Sequence, residues 1–307
     1  MSSVLVIGGS NTDIVGVPDA AFTPRDSNPG HVGVTAGGVG RNVAENLVRL
    51  DVEVCFVTAF GDDVNGRARR AECESAGIDV SRSISAPGMT GSVYLAVLDE
   101  HGDLAAAVSD MRALDDVGPA EVSSALEGLG VVDALVLDAN LRVDTLARIR
   151  EILPVTPRFL ECVSAAKAAR LSPLLPGAAA VHANVLEAGV LCGTEFERSA
   201  GGATLAARTL VALGASAAYV TAGDRGTAWA AAEGAGCLPA PGSAVANATG
   251  AGDAFMAGVV ASTLAGHGAP RVALFASACA GITLRSEHTV APELDRCAVE
   301  AEMEAVQ

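Results

Sequence analysis

The stretch ANATGAGDAFMAGVV, residues 246–260, sets two glycines and a single acid, Asp253, directly in front of an apolar run of helical length. Gly250 and Gly252 let the backbone turn sharply into a helix that begins near Gly252, so that successive N–H groups point outward at its N-terminus. Such a nest binds anions. A carboxylate in a first helical turn is also an ordinary stabilising choice, because it interacts favourably with the helix dipole.

Outward from this stretch, short β-branched runs alternate with helix-length amphipathic segments almost throughout, the pattern of a parallel sheet flanked by helices. Strands are predicted at 4–9, 54–60, 134–139, 158–163, 179–184 and 217–222, and helices at 39–50, 64–76, 143–152, 201–213, 252–265 and 270–286. Two regions break the rhythm, Thr12 to Val34 and Thr90 to Asp110, where SVYLAVLDEHGDLAAAVSD reads as two strands around a Glu-His-Gly turn. Both are strand-rich without helices and can pair into a small sheet standing off the main layer. The expectation is one doubly wound α/β domain over 1–307, with a β lid inserted from about 12–34 and 90–112.

Composition narrows the function. The chain has 307 residues and is half apolar with a mean hydropathy of +0.39, yet the excess comes from Ala and Val spread along it. Its longest apolar run, Val272 to Leu284, is shorter than the roughly 20 residues that cross a bilayer. Met1-Ser2-Ser3 leads straight into VLVIGG, so a soluble, cytoplasmic protein without a signal segment is expected. Seven cysteines without CxxC spacing, several inside apolar runs, read as small core residues in a reducing compartment. A net charge of −16 argues against a nucleic-acid surface, which needs clustered Lys and Arg. Lys167 is the one lysine in a chain that otherwise uses Arg. The five histidines show neither i, i+4 pairing nor cysteine partners, so no structural metal is expected.

A second glycine motif, AGGVGRNVAENLVRL at 36–50, puts Gly37 and Gly38 before a helix that carries Asn42 and Asn46, with Val43, Leu47 and Leu50 on its apolar face. Neither motif fits a dinucleotide fingerprint: Val43 and Phe255 stand where the third glycine should be. GxxxxGK[ST] is absent, and Lys167 is far from any glycine loop, which excludes a P-loop enzyme.

The two motifs, with GGSNTD at 8–13, resemble the PfkB, or ribokinase-like, family of sugar and nucleoside kinases. Gly37-Gly38 and Asn42 stand for its first signature, and Thr249-Gly250-Ala251-Gly252-Asp253 for its second, in the expected order along the whole chain. The resemblance implies that Asp253 is the general base and that Gly250, Ala251 and Gly252 form the anion hole. Within the family, RDSNPGHV (25–32), GGVGRNVAENL (37–47), DMRAL (110–114) and VSAAKA (163–168) are similar to the pseudouridine kinases. Asp-Ser-Asn-Pro-Gly alone is a turn signal.

Other positions carry over singly. Asn184 and Glu187 match an Asn-x-x-Glu that organises the phosphates and magnesium, Glu187 through water, although the same spacing is a helix capping box. Asn11 and Asp13 resemble the pair that holds ribose hydroxyls, and also suit a turn cap. TAGDRGTAW (221–229) matches the nucleotide-side hairpin, with Thr221, Gly223 and Gly226, together with Thr249, near ATP. Asp26, Ser27, Asn28, Gly37, Gly38, Arg41, Asn42 and Lys167 join Asn11 and Asp13 as substrate-side candidates. Asn247 departs from the family, whose members often place Asp there beside a monovalent-cation site, and leaves that cation open. The implied activity is transfer of the ATP γ-phosphoryl to the 5′-hydroxyl of pseudouridine. The alternatives are another ribosyl acceptor, such as ribose, uridine or adenosine, and a non-catalytic nucleoside-binding relative. The lid is also the candidate surface for a homodimer.

Overall fold

The computed structural model describes residues 2–306 apart from 87, 89, 243 and 244. Its main sheet has eight strands, each in chain order: β1 (Ser3–Ile7), β4 (Glu53–Val57), β9 (Ala134–Asp138), β10 (Arg158–Glu161), β11 (Ala180–Asn184), β12 (Ala217–Thr221), β13 (Thr227–Ala231) and β14 (Gly234–Leu238). They lie in the order β14-β13-β12-β11-β10-β9-β1-β4, parallel from β4 to β12 and antiparallel at β13 and β14. Strands such as VLVI are apolar on both faces because helices cover both.

One face holds α1 (Val39–Arg49), α9 (Ala251–Leu264), α10 (Ala269–Arg285) and α11 (Arg296–Val306), built on side chains such as Leu47, Phe159, Tyr219 and Phe255. The other holds α4 (Pro119–Ala125), α5 (Val143–Ile152), α7 (Val185–Cys192) and α8 (Ala200–Ala212) around Leu135, Leu146, Val181 and Leu210. α9 is apolar nearly all round because it packs between the sheet, α1 and α10. Short α3 (Arg112–Asp115) and α6 (Ala165–Ala168), and α2 (Val64–Ser75) beside the small parallel pair β5 (Ala59–Gly61) and β6 (Ile84–Ala86), complete the layer.

The lid is a separate four-stranded sheet, β3-β2-β7-β8, formed by β2 (Asn11–Pro18), β3 (Gly30–Gly37), β7 (Val93–Leu98) and β8 (Leu104–Asp110). The two irregular regions of the sequence therefore do pair with one another, through the parallel contact of β2 with β7. The Glu-His-Gly turn joins β7 to β8, closed by the Asp99 N–H donating to the Asp103 carbonyl at 2.8 Å.

The seven cysteines are free, and two of them are not the core residues expected: Cys237 and Cys297 are exposed, on the edge strand β14 and the outer helix α11. No helix among the described residues is long and apolar enough to cross a membrane.

Candidate active site

The chain leaves β1 for the lid, returns to β4 on one side of β1, and later adds β9 on the other, so the strand order reverses at β1. A crevice opens at the carboxyl ends of strands at such a point. Here the strand ends carry polar residues. Register places Asp138 beside Glu161 and Glu161 beside His182, a row across β9, β10 and β11 on the face covered by α9. All three are buried.

Asp138 is a structural hub. One carboxylate oxygen accepts from the Gly9 N–H at 2.7 Å and the Gly40 N–H at 3.0 Å, and the other accepts from the Asn140 N–H at 2.9 Å. This ties the end of β1 to the first turn of α1. Gly38, which caps α1, needs φ +101, a conformation open to glycine at little cost.

From that corner polar groups lead across to α9, through hydrogen bonds and the charge interaction of Asp13 with Arg41. Asn11 donates to Asp13 on β2, and Asn11 pairs in register with Gly37. Burial raises the Asp13 pKa, opposed by the Asn11 hydrogen bond and by the charges of Arg41 and Arg69. Arg41, itself buried, pairs with Glu45 and donates to Asn42 Oδ1 at 2.9 Å. That bond leaves the Asn42 amide nitrogen to donate to Asp253 Oδ2 at 2.8 Å. The two glycine motifs, 211 residues apart, meet in this hydrogen bond.

Asp253 stands in the first turn of α9. Gly250 caps the helix in the left-handed conformation at φ 86, and its α-carbon lies so close to the Thr289 carbonyl that no side chain fits. No side chain caps the helix, so its first amides stay free for an anion. Burial pushes the Asp253 pKa up to about 8; the Asn42 donor opposes this, the charges of Glu161 and Asp138 add to it, and His182 offsets them.

Beyond α9 lies a cleft of about 850 Å³, within the range of small-molecule sites. Asn184, Thr221, Gly223, Gly226, Ala251 and Gly252 line it. Thr249, beside it, is held by its N–H donating to Asn247 Oδ1 at 2.9 Å. Asn184 and Glu187 form the full capping box of α7, at 3.0 and 2.8 Å. Glu187 is buried behind the cleft, where burial and the charge of Glu161 raise its pKa against the Asn184 N–H bond.

Lys167 occupies another corner. Its Nζ donates to Asn140 Oδ1 at 2.6 Å, on the wall of a second cavity of about 480 Å³ that runs under the lid to Met111 and Arg112. Burial lowers its pKa, and the Asp138 charge opposes that. Asn11, Asp13, Gly37, Gly38, Arg41, Asn42 and Asp253 thus form one network, to which Lys167 is joined through Asn140 and Asp138.

Asp26, Ser27 and Asn28 are not brought to it. They lie in the exposed β2–β3 connection, where Asn28 Oδ1 accepts from the Thr23 N–H at 2.8 Å and Asp26 Oδ1 from the Ser27 N–H at 2.8 Å. The turn itself falls just before this segment, at Pro24–Arg25 with Arg25 at φ 67, and Asn28 braces it through its bond to Thr23.

Sequence reading missed Asp138, Asn140, Glu161 and His182. Asp138 and Glu161 are the last residues of β9 and β10, Asn140 follows β9 by two residues, and His182 stands in the middle of β11, two residues before its end at Asn184. Polar residues at or near strand ends, at a topological switch point, were the signal available.

Among the described residues, no group of three or more His, Cys, Asp or Glu side chains could hold a metal ion. The donor set fits magnesium held in another way, through one or two carboxylates with water and phosphate oxygens.

The sequence model of the pfkB family of carbohydrate kinases matches residues 1–296. The chain is 29% identical over 299 residues, covering 95% of it and 93% of the relative, to the pseudouridine kinase of Escherichia coli (strain K12). A carbohydrate kinase from Agrobacterium tumefaciens superposes with a TM-score of 0.85 at 29% identity, covering 100% of this chain and 98% of that one. A ribokinase II from Escherichia coli, solved in complex with ATP and Mg2+, shares the fold at a TM-score of 0.83 and 16% identity, covering 99% of this chain and 100% of that one.

Proposed function

Because the chain belongs to the pfkB family of carbohydrate kinases, we propose that it transfers the γ-phosphoryl of ATP to the 5′-hydroxyl of pseudouridine. The observation that carries the kinase reading is the Asn42–Asp253 hydrogen bond, which joins the sugar-side network to the uncapped amides of α9. Asp253 is the general base. Its carboxylate is anchored through Oδ2, and the other oxygen takes the hydroxyl proton as attack begins. Asn11 and Asp13 hold the ribose diol with acceptor oxygens, and Gly37, Gly38 and Arg41 shape that end of the site.

The amides of Gly250, Ala251 and Gly252 face the anion, preset by the left-handed turn at Gly250 so that no reorganisation is needed. Asn184, Thr221, Gly223, Gly226 and Thr249 form the ATP wall. Glu187 would hold magnesium through water, and the ion, when bound with the nucleotide, neutralises phosphate charge. The lid closes over the acceptor and keeps water from competing for the phosphoryl group.

Support for pseudouridine comes from the resemblance of four segments and the 29% identity over 95% of the chain. On this reading the base would lie toward the cavity of about 480 Å³ on whose wall Lys167 and Asn140 stand. Pseudouridine carries a ring N–H where uridine has C–H, and one unmet buried acceptor costs uridine about 1–3 kcal/mol. Rates with Mg-ATP on pseudouridine, uridine, adenosine and ribose decide the matter. The expected specificity constant for pseudouridine exceeds that for uridine by about tenfold or more. Preference for another acceptor overturns the substrate but leaves the kinase standing, whereas no turnover of any acceptor overturns both. The lid's exposed Val32, Val34, Leu104 and Val108 supply the homodimer surface, which sedimentation velocity tests.

A further inference from the structure

The transfer site buries more carboxyl groups than basic side chains pair with. Asp138, Glu161, Glu187 and Asp253 are all at least nine-tenths buried, on β9, β10, α7 and α9. The nearby cations are mostly turned elsewhere: Lys167 reaches Asn140, Arg170 the carbonyls of Ala139 and Asn140, and Arg41 turns to Glu45 and Asn42. The basic side chain within the row is His182.

Its surroundings are specific. Nδ1 lies 2.6 Å from Glu161 Oε2, and the ring stacks on Phe255 of α9 at 4.8 Å and 27°. The Cε1 edge abuts Gly252, where a Cβ would stand 3.5 Å away. Nε2 is sealed from solvent and has no hydrogen-bond partner within the protein.

We propose that His182 is a positioning residue for phosphoryl transfer: held as an imidazolium by Glu161, it places a positive charge against the Gly250–Asp253 turn, favours the ionised form of Asp253, and favours an anion at the turn's amides. This rests on the kinase reading of Asp253. With the Glu161 carboxylate on Nδ1, that nitrogen carries the proton in either charge state, so the states differ only at Nε2. A proton on Nε2 attracts a neighbouring anion, whereas a bare lone pair repels it. Burial alone disfavours the cation, but the charge and hydrogen bond of Glu161, with the charges of Glu187 and Asp253, outweigh it and raise the His182 pKa. In turn His182 opposes the burial and the carboxylates that push the Asp253 pKa up.

Two measurements test this. In the first, kcat/KM for the nucleoside is followed against pH at saturating Mg-ATP. His182→Gln should move the acid limb upward by about one pH unit or more, with the nucleoside KM changed less than about threefold, because the base loses its stabilising cation while the acceptor contacts stay. An unmoved limb overturns the proposal. In the second, the His182 ring is followed by NMR titration, its resonance assigned by its loss in His182→Gln or by its shift in Glu161→Gln. It should remain protonated above the value of about 6.5 at which an unperturbed histidine titrates, and fall back toward or below it in Glu161→Gln. Titration at the unperturbed value in the unaltered protein overturns the proposal even if His182→Gln does not fold. If the unaltered protein phosphorylates no acceptor, the kinase reading fails, while the NMR titration still decides whether His182 carries charge.

Discussion

The carboxyl edge of the main sheet and the lid are both β-structure, but they are built for opposite ends. At the sheet edge Asp138, Glu161 and His182 are buried and fixed by neighbours on both sides. In the lid, β3 is exposed at its first six positions, with Val32 at 67% and Val34 at 58%. On the proposed reading the charged chemistry is preorganised in the main layer, where its groups are buried, and acceptor recognition is shared with a sheet that has little core of its own. Asp253 finds its partner already in place, whereas the side chains of Asp26 and Asn28 are occupied within their own connection.

If this contrast is right, substitutions in the layer should affect rate and substitutions toward the lid should affect recognition. Asp253→Asn should lower kcat by about 100-fold or more while ATP and nucleoside affinities stay within about threefold. Near-normal turnover would remove Asp253 from the chemistry and with it the contrast.

The same substitution should stabilise the protein at high pH. The folded pKa of Asp253, about 8, lies above the unfolded value near 3.8, so the folded chain binds the extra proton between them and its stability declines as pH rises through that window, until it passes about 8. An amide in place of the carboxyl removes that decline. The advantage of the variant over the native chain should reach about 5–6 kcal/mol at pH 9, at about 1.4 kcal/mol for each unit between the two values, or about 10 °C or more in Tm, and nearly vanish by pH 4. Calorimetry showing the same difference at both pH values would show that the carboxyl titrates normally.

A smaller effect is expected where layer and lid meet. Lys167→Ala should raise the nucleoside KM about tenfold and the ATP KM less than twofold, since its Nζ faces the under-lid cavity. Equal, small changes in both would return Lys167 to a purely local role with Asn140. The smallest effect belongs to the lid connection. Asp26→Ala should reduce the preference for pseudouridine over uridine about threefold, through the closed form alone, with kcat unchanged. Loss of kcat instead would mean that this segment reaches the reacting atoms.

Much of this was legible in the sequence because periodicity and turn chemistry are local. Helix α5 was predicted over its observed span, and α9 and α10 within one residue, since a glycine entry or a proline in the first turn marks their starts. The motifs at 36–50 and 249–253 gave Asn42 and Asp253, though only folding shows that they touch. Glu161 and His182 stayed hidden because each is one polar residue in a short strand, at the end of β10 and in the middle of β11, and their meaning lies in lateral register with strands about 20 residues away. Glu187 could be read in two ways from Asn-x-x-Glu, and the structure shows the capping box without excluding the second use.

The placement of β1 between β4 and β9 also sets when the protein can fold. Val4 pairs with Val54 on one side and Ala134 on the other, so the sheet cannot close around its first strand until residue 134 has been made. At about 5–20 residues per second, a ribosome needs on the order of ten seconds to span that interval. Throughout it, the fully apolar edge of VLVI is open to pairing with other chains. Nascent chains halted before β9 should be cut by protease within β1 and bind holdase chaperones, while chains halted after β10 should protect it.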